Sequence, residues 1–155
     1  KETEQIVGGW VKNLARPVFS NDTSLIKAIV AGKCDVGVVN SYYLARLQKQ
    51  NPKLPVALFW PNQTSGGVHV NISGAGMIKH TKKPKLAKKF LEWLSTPKAQ
   101  NLFAELNHEF PVHKDVTASS IVQKWGTFKP SKMNLSKAGE LQLSAIKLMD
   151  RAHYR

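Results

Sequence analysis

Acidic residues are scarce in this chain: 10 Asp and Glu stand against 23 Lys and Arg in 155 residues, a formal charge of +13. That imbalance makes an anion the first partner to consider. The excess is mostly lysine, densest from Lys79 to Lys89, KHTKKPKLAKK. A solvated helix face is the ordinary origin of such a run, and no nucleic-acid module motif accompanies it. A basic module for a polyanion or nucleic acid stays as an alternative whose affinity would collapse with salt. Cysteine is nearly missing too. Cys34 stands alone, which excludes an internal disulfide and a thiolate zinc set, and its place between a helix stop and a strand predicts a buried, inert thiol. No run approaches the ~20 apolar residues of a membrane span. The opening KETEQIVGGW has no basic segment followed by an apolar stretch, so an export signal is either lacking or upstream.

Signatures of catalysis are equally sparse. There is no Gly-x-Ser-x-Gly elbow, no phosphate loop and no cysteine with a matched base, so an enzyme is not expected. His69, His80, His108, His113 and His153 are scattered, with no pair at ligand spacing, and read as surface or core histidines. Ser73 to Gly76, SGAG, could hold an anion on backbone N–H groups, but a strand with a close backbone neighbour explains it more simply. The sequons at Asn21, Asn62, Asn71 and Asn134 matter only in a eukaryotic secretory pathway.

What is present is a 42% hydrophobic content, enough for a packed core, arranged as helices alternating with apolar runs. Asn21 to Gly32 predicts a helix capped by Asp22 or Thr23, with Leu25, Ile26, Ile29 and Val30 at helical spacing and Gly32 as its stop. Asp35 to Asn40, DVGVVN, reads as a short buried strand. Ser41 is a plausible N-cap for the next helix, whose Leu44 and Leu47 face the core. Val56 to Trp60, VALFW, predicts a second buried strand, closed by Pro61 and Gly66-Gly67. Val68 to Ile78 alternates and then carries two glycines, as a strand crossing between two bodies would. Leu86, Phe90, Leu91 and Leu94 make one helical stripe after Pro84, and Ala99, Leu102, Phe103 and Leu106 a second after Pro97. Ser119 to Trp125 and Ser136 to Ala152 complete the helices, the last with Leu141, Ala145, Leu148 and Met149 on one side. The class is α/β, with few strands for a self-contained sheet.

Two of the three tyrosines, Tyr42 and Tyr43, fall where the run VVN gives way to this helix. Neighbouring residues diverge by ~100° on a helix and face opposite sides of a strand, so only the turn between the two lets both phenols converge. A phenol of pKa ~10 is a poor ligand until ionised, but a bound cation strips its proton. Two phenolates are hard anionic donors, suited to ferric iron rather than zinc or copper(I). The helix start adds partial positive charge that favours the anionic form. Equally, the pair could be half-buried aromatics with solvated hydroxyls.

The stretches NDTSLIKAIVAGKCDVGVVNSYYLARL, FWPNQTSGGVHVNISGAGMIKHTKKPKLAKKFLEWLSTPKAQNLFAELNHEFPV and KWGTFKPSKMNLSKAGELQLSAIKLMDR, in that order, resemble the periplasmic ferric-ion-binding proteins of bacterial ABC importers. The resemblance implies a partial type II periplasmic-binding-protein fold: the C-terminal lobe plus a crossing segment of the N-terminal lobe. It implies that residues 1–72 belong to the C-terminal lobe, that 73–115 cross into the N-terminal lobe, and that 116–155 return. Tyr42 and Tyr43 match the family's consecutive tyrosine ligands of Fe(III). Asn40 matches a position that helps hold an anion sharing the iron's coordination shell, and Ser41 lies between it and the pair. Asp22, with Asn21 beside it, stands where phosphate-binding members carry asparagine; its carboxylate would repel phosphate, which leaves carbonate, or an all-protein shell with a further tyrosine. The resemblance further implies a periplasmic protein without turnover that delivers iron to an ABC transporter permease in the inner membrane. The family's other ligands come from an N-terminal half not included in this chain, so the chain is expected to be a fragment or one piece of a nicked protein. A lobe for a small organic anion, with the tyrosines as pocket walls, is the remaining alternative.

Overall fold

The computed structural model describes residues 2–154. It contains seven α-helices: α1 (Glu2–Lys12), α2 (Asp22–Val30), α3 (Ser41–Gln50), α4 (Pro84–Leu94), α5 (Pro97–Leu102), α6 (Ser120–Gln123) and α7 (Leu135–Arg151), with a π-helical turn at Phe103–Asn107. α1 was not foreseen: its Gly8 and Gly9 break the propensity signal. Its Val7 is buried, and Arg151 Nε of α7 donates to Glu4 Oε1 at 3.1 Å.

The core lies where α2 meets α3. Ile26 and Ala28 of α2, Leu44 and Ala45 of α3, and Val122 of α6 are all buried, Ala45 completely. Burying a side chain the size of Ile26 or Leu44 contributes about 1.5–3 kcal/mol. α2 is capped by Asn21, whose Oδ1 accepts from Ser24 N at 2.9 Å, not by Asp22 or Thr23. An amide one residue earlier reaches the free N–H, and Asp22 is thereby released for another task. Gly32 ends α2 as expected, at φ +65°, the left-handed region that glycine adopts without a Cβ penalty.

The strand expectations need correction. Among the described residues only an isolated parallel bridge forms, Val68 with Pro130, and 35–40, 56–60 and 69–78 are extended without a ladder. The segment 35–40 is not buried either: Val36 and Val38 are 85% and 98% exposed. In 56–60, Val56, Leu58 and Trp60 are half-buried whereas Ala57 and Phe59 face outward. An apolar run is covered on both faces only when two layers enclose it, and the described residues cover these runs on one face at most. The same holds for α4, none of whose residues is buried, and for α7, where Leu141 and Met149 remain open. Cys34 is half-buried, not sealed.

A second cluster ties distant segments together. The Trp60 ring centroid lies 4.4 Å from that of Phe128 and 6.4 Å from that of Trp125, and Phe110 stands 5.3 Å from Phe128. The return segment is fastened beside it, Val68 N donating to Lys129 O at 2.9 Å and Ser131 N to Val68 O at 2.8 Å. This close approach requires Gly67, which sits at φ +84° and where a Cβ would come within 2.6 Å of Pro130 O. Gly67→Ala is therefore expected to lower stability by about 1–3 kcal/mol, whereas Gly66→Ala, which meets nothing within 4 Å, leaves it nearly unchanged. Urea unfolding of the two variants side by side checks this, and equal midpoints would refute it.

Candidate functional site

Tyr42 and Tyr43 occupy the first turn of α3, directly after Asn40, the N-cap in extended conformation. Ser41 is thus the first helical residue and not the cap, a correction to the sequence reading, and Asn40 makes no side-chain cap bond. Its amide is engaged elsewhere. Asp22 Oδ2, at the start of α2, accepts from Asn40 N at 2.9 Å and from Asn40 Nδ2 at 3.1 Å. One carboxylate oxygen thus holds both the backbone and the side chain of the residue that launches α3, and charge-assisted bonds of this kind are the stronger sort. Asn71 Nδ2 completes the clamp with a 3.4 Å bond to Asn40 Oδ1.

Both tyrosines are helical, so the expected strand-to-helix turn is not what brings them together, a second correction; their rings nevertheless approach, with centroids 4.4 Å apart and planes inclined by 34°. Both rings are half-buried. Arg46, one turn along α3, lays its guanidinium 5.1 Å from the Tyr42 centroid and 5.4 Å from that of Tyr43. That cation–π arrangement holds the rings on one side of the helix. Arg46 also donates to Asn107 Oδ1, Asn107 Nδ2 donates to Glu109, and Ser73 Oγ donates to Glu109 Oε2 at 3.2 Å. A chain of polar contacts therefore runs from the tyrosines into the segment that follows α5.

The π-helical turn makes this possible. It ends at His108, held at φ +59° and ψ +33°, and the extra residue per turn swings Asn107 and Glu109 toward α3. His108 is buried, its Nδ1 3.1 Å from the buried Ser119 Oγ.

The electrostatics keep the Tyr42 phenol neutral. Its hydrogen bond to Tyr43 raises the pKa above 10, burial and the charges of Tyr43 and Asp22 push the same way, and Arg46 opposes them. Two phenolates this close repel, so the pair sheds protons only when a cation sits before the oxygens. Among the described residues no three of His, Cys, Asp and Glu cluster as a metal set; the phenols are the hard donors at this place. A groove of about 600 Å³ lies instead beside Gln48, Lys49, Val56 and Trp125. Neither tyrosine lines it.

Sequence reasoning singled out Tyr42, Tyr43, Asn40, Ser41 and Asp22. It missed Arg46, Asn71, Asn107 and Glu109. The spacing of Arg46, four and three residues beyond the two tyrosines, carried the signal for one helix face. Nothing local marks Asn107 or Glu109, because the π turn and the left-handed His108 are not written in a residue pattern.

Comparison with known proteins defines the class. Residues 2–130 match the bacterial extracellular solute-binding protein family, and the chain belongs to it. A curated relative, iron uptake protein A2 of Synechocystis, is 41% identical over 96% of this chain and 45% of its own length. Among solved structures, the Trichodesmium protein in complex with iron and citrate is 44% identical, with a TM-score of 0.92 over 99% of this chain and 51% of that one. The ferric binding protein of Campylobacter jejuni is 34% identical, with a TM-score of 0.93 over 99% of this chain and 51% of its own. The chain thus spans about half the length of the relatives it matches, and its backbone follows half of their type II α/β fold. Members of the family bind and carry solutes rather than transform them. No helix among the described residues is long and apolar enough to cross a membrane.

Two titrations probe this geometry. Tyr42→Phe should remove the late-titrating phenol from an ultraviolet absorbance titration, and Tyr43→Phe should bring Tyr42 back toward pKa 10; a late phenol surviving Tyr42→Phe would show that it belongs elsewhere. Burial, with Lys49 adding to it, lowers the pKa of His108 below 6.5. The folded protein then binds fewer protons than the unfolded one, so stability is intact above about pH 6.5 and lost as the pH falls toward the depressed folded value. His108→Asn should flatten the fall in urea midpoint between pH 7.5 and pH 5; an unchanged slope would exclude His108 as its source.

Proposed function

We propose that this chain is the C-terminal half of a periplasmic iron carrier in which Tyr42 and Tyr43 supply two phenolate ligands to Fe(III). The observation that carries the reading is the convergence of the two rings at 4.4 Å, in a backbone that superposes at a TM-score of 0.92 on a protein in complex with iron and citrate. Two curated relatives, 41% and 36% identical, bear the name iron uptake protein. Residues 1–72 and 116–155 form the C-terminal lobe, and residues 73–115 cross into the N-terminal lobe, which provides the remaining ligands. The outward face of 56–60, the open stripe of α4 and the unpaired 35–40 are the surfaces that the other half covers.

Iron enters the open cleft as an oxygen-bound cargo ion. Its charge draws the protons from Tyr42 and Tyr43, Arg46 limits the build-up of negative charge beside the rings, and closure of the lobes completes the shell. The importer's permease in the inner membrane then receives the ion when the lobes part. Asp22 bears on the anion question. Its Oδ2 already holds both donors of Asn40, so an anion on Asn40 would have to break two bonds and meet a carboxylate. This supports a shell completed by protein oxygens, a further tyrosine among them, over one that needs carbonate.

Titration of Fe(III) into this chain together with its N-terminal half should give a visible phenolate-to-iron absorption band. Tyr42→Phe should weaken binding at least about a hundredfold, that is by about 2.7 kcal/mol or more, and bleach most of the band. Because Tyr42 is protonated before binding, affinity should fall as the pH drops and each binding event should release protons. An unaltered band in both Tyr42→Phe and Tyr43→Phe would end the proposal. Affinity that depends on added bicarbonate would overturn the protein-only shell while leaving the tyrosine ligands standing.

A further inference from the structure

One part of the surface lies outside the site described above. Between Asp35 and Glu92 the sequence holds no acidic residue, and six of the nine cations in that interval are the lysines from Lys79 to Lys89. All six are exposed. Among the described residues only Lys88 joins an ion pair, with Glu92 at 3.7 Å, and both side chains stay more than half exposed.

This placement works against the helix that carries it. α4 begins at Pro84 with no acidic residue in its first turn, so Lys83 and Lys85 sit at the positive end of the helix dipole. Lys85 and Lys89 are like charges at i,i+4, a further small penalty. Lys85, Lys88 and Lys89 share one helical face, continued by Lys82 and Lys83 just before the helix. The exposed apolar residues Leu86, Phe90 and Trp93 adjoin this face, with Lys89 set between Leu86 and Trp93 at helical spacing. A cationic edge that costs its own helix stability, with no acidic residue beside it but Glu92, suits an anionic surface outside the molecule.

We propose that the lysine edge of residues 79–89 is an electrostatic docking surface for a bilayer of anionic phospholipid. The chemistry favours headgroups over an acidic protein. The run contains lysine and no arginine, and lysine is a compact, strongly hydrated charge on a flexible stem, suited to diffuse attraction. Partners held in one fixed bidentate geometry, carboxylate or phosphate, are matched by the planar fork of arginine instead. Four to eight basic residues on or beside an amphipathic helix are also the number that binds an anionic leaflet, each strengthening attachment about fivefold near the surface. Held in this way, the protein would explore the membrane in two dimensions.

Co-sedimentation of this chain, together with its N-terminal half, with vesicles of phosphatidylglycerol and phosphatidylcholine tests the proposal. Binding should rise with the phosphatidylglycerol fraction and fall at least about tenfold between 50 mM and 300 mM salt, as screening shortens the reach of the charges. Lys82→Glu/Lys83→Glu/Lys85→Glu, which removes three positive charges and adds three negative ones, should weaken it by more than about a thousandfold. Lys82→Gln/Lys83→Gln, which lies before α4 and spares the helix, should weaken it about twentyfold, with unchanged circular dichroism. Tyr42→Phe should bind vesicles normally, which separates this proposal from the iron site. Equal binding to pure phosphatidylcholine would show apolar adhesion and overturn the proposal, as would full binding by the Gln variant. Salt-sensitive binding to polyglutamate with none to vesicles would overturn it in favour of an acidic protein.

Discussion

Everything distinctive in this chain depends on holding two phenol rings together at the first turn of a helix. Left to helical geometry alone, consecutive side chains diverge by ~100°. Here the start of α3 is clamped from outside by Asp22 through both donors of Asn40, anchored from beneath by the buried Leu44 and Ala45, and closed from above by Arg46 against both rings. Three different interactions, a charge-assisted hydrogen bond, apolar burial and a cation–π contact, act on ten residues of chain. The outcome is a pair of adjacent phenols, which under the proposed function would lose their protons to a strong cation.

The clamp also explains how the site connects to the rest of the fold. Arg46 reaches Asn107, and Asn107 reaches Glu109, which Ser73 also contacts. Ser73 and Glu109 lie near the two ends of the segment proposed to cross into the other lobe. A hinge placed there would feel any displacement of Arg46, and the π turn with its buried His108 is the rigid piece through which that displacement would pass. Under the proposed function, ion capture and lobe closure share these residues.

Under the proposed function the uncovered surfaces and the half-site share one origin: segments covered on one face and a helix with no buried residue are the faces against which the other half would pack. Self-repulsion of the +13 charge would add to the strain on that half alone. The relatives that the chain matches are about twice as long.

Every helix but α1 was legible in the sequence, because the signals are local. Proline at the start of α4 and α5, Gly32 after α2 and the 3.6-residue apolar spacing each act within a turn or two. Strand runs were legible as apolar but not as unpaired, because a ladder belongs to two segments and the sequence of one does not state whether the other is present. At the site the sequence determined the donor type and its position: two adjacent phenols where an extended run becomes a helix. Only the tertiary structure decided that the rings converge, that Asn21 and not Asp22 caps α2, and that Asp22 is thereby free to hold Asn40. Those outcomes turn on contacts spanning 18 residues for the clamp and 61 for Arg46 with Asn107, and no short pattern records a contact made across such a loop.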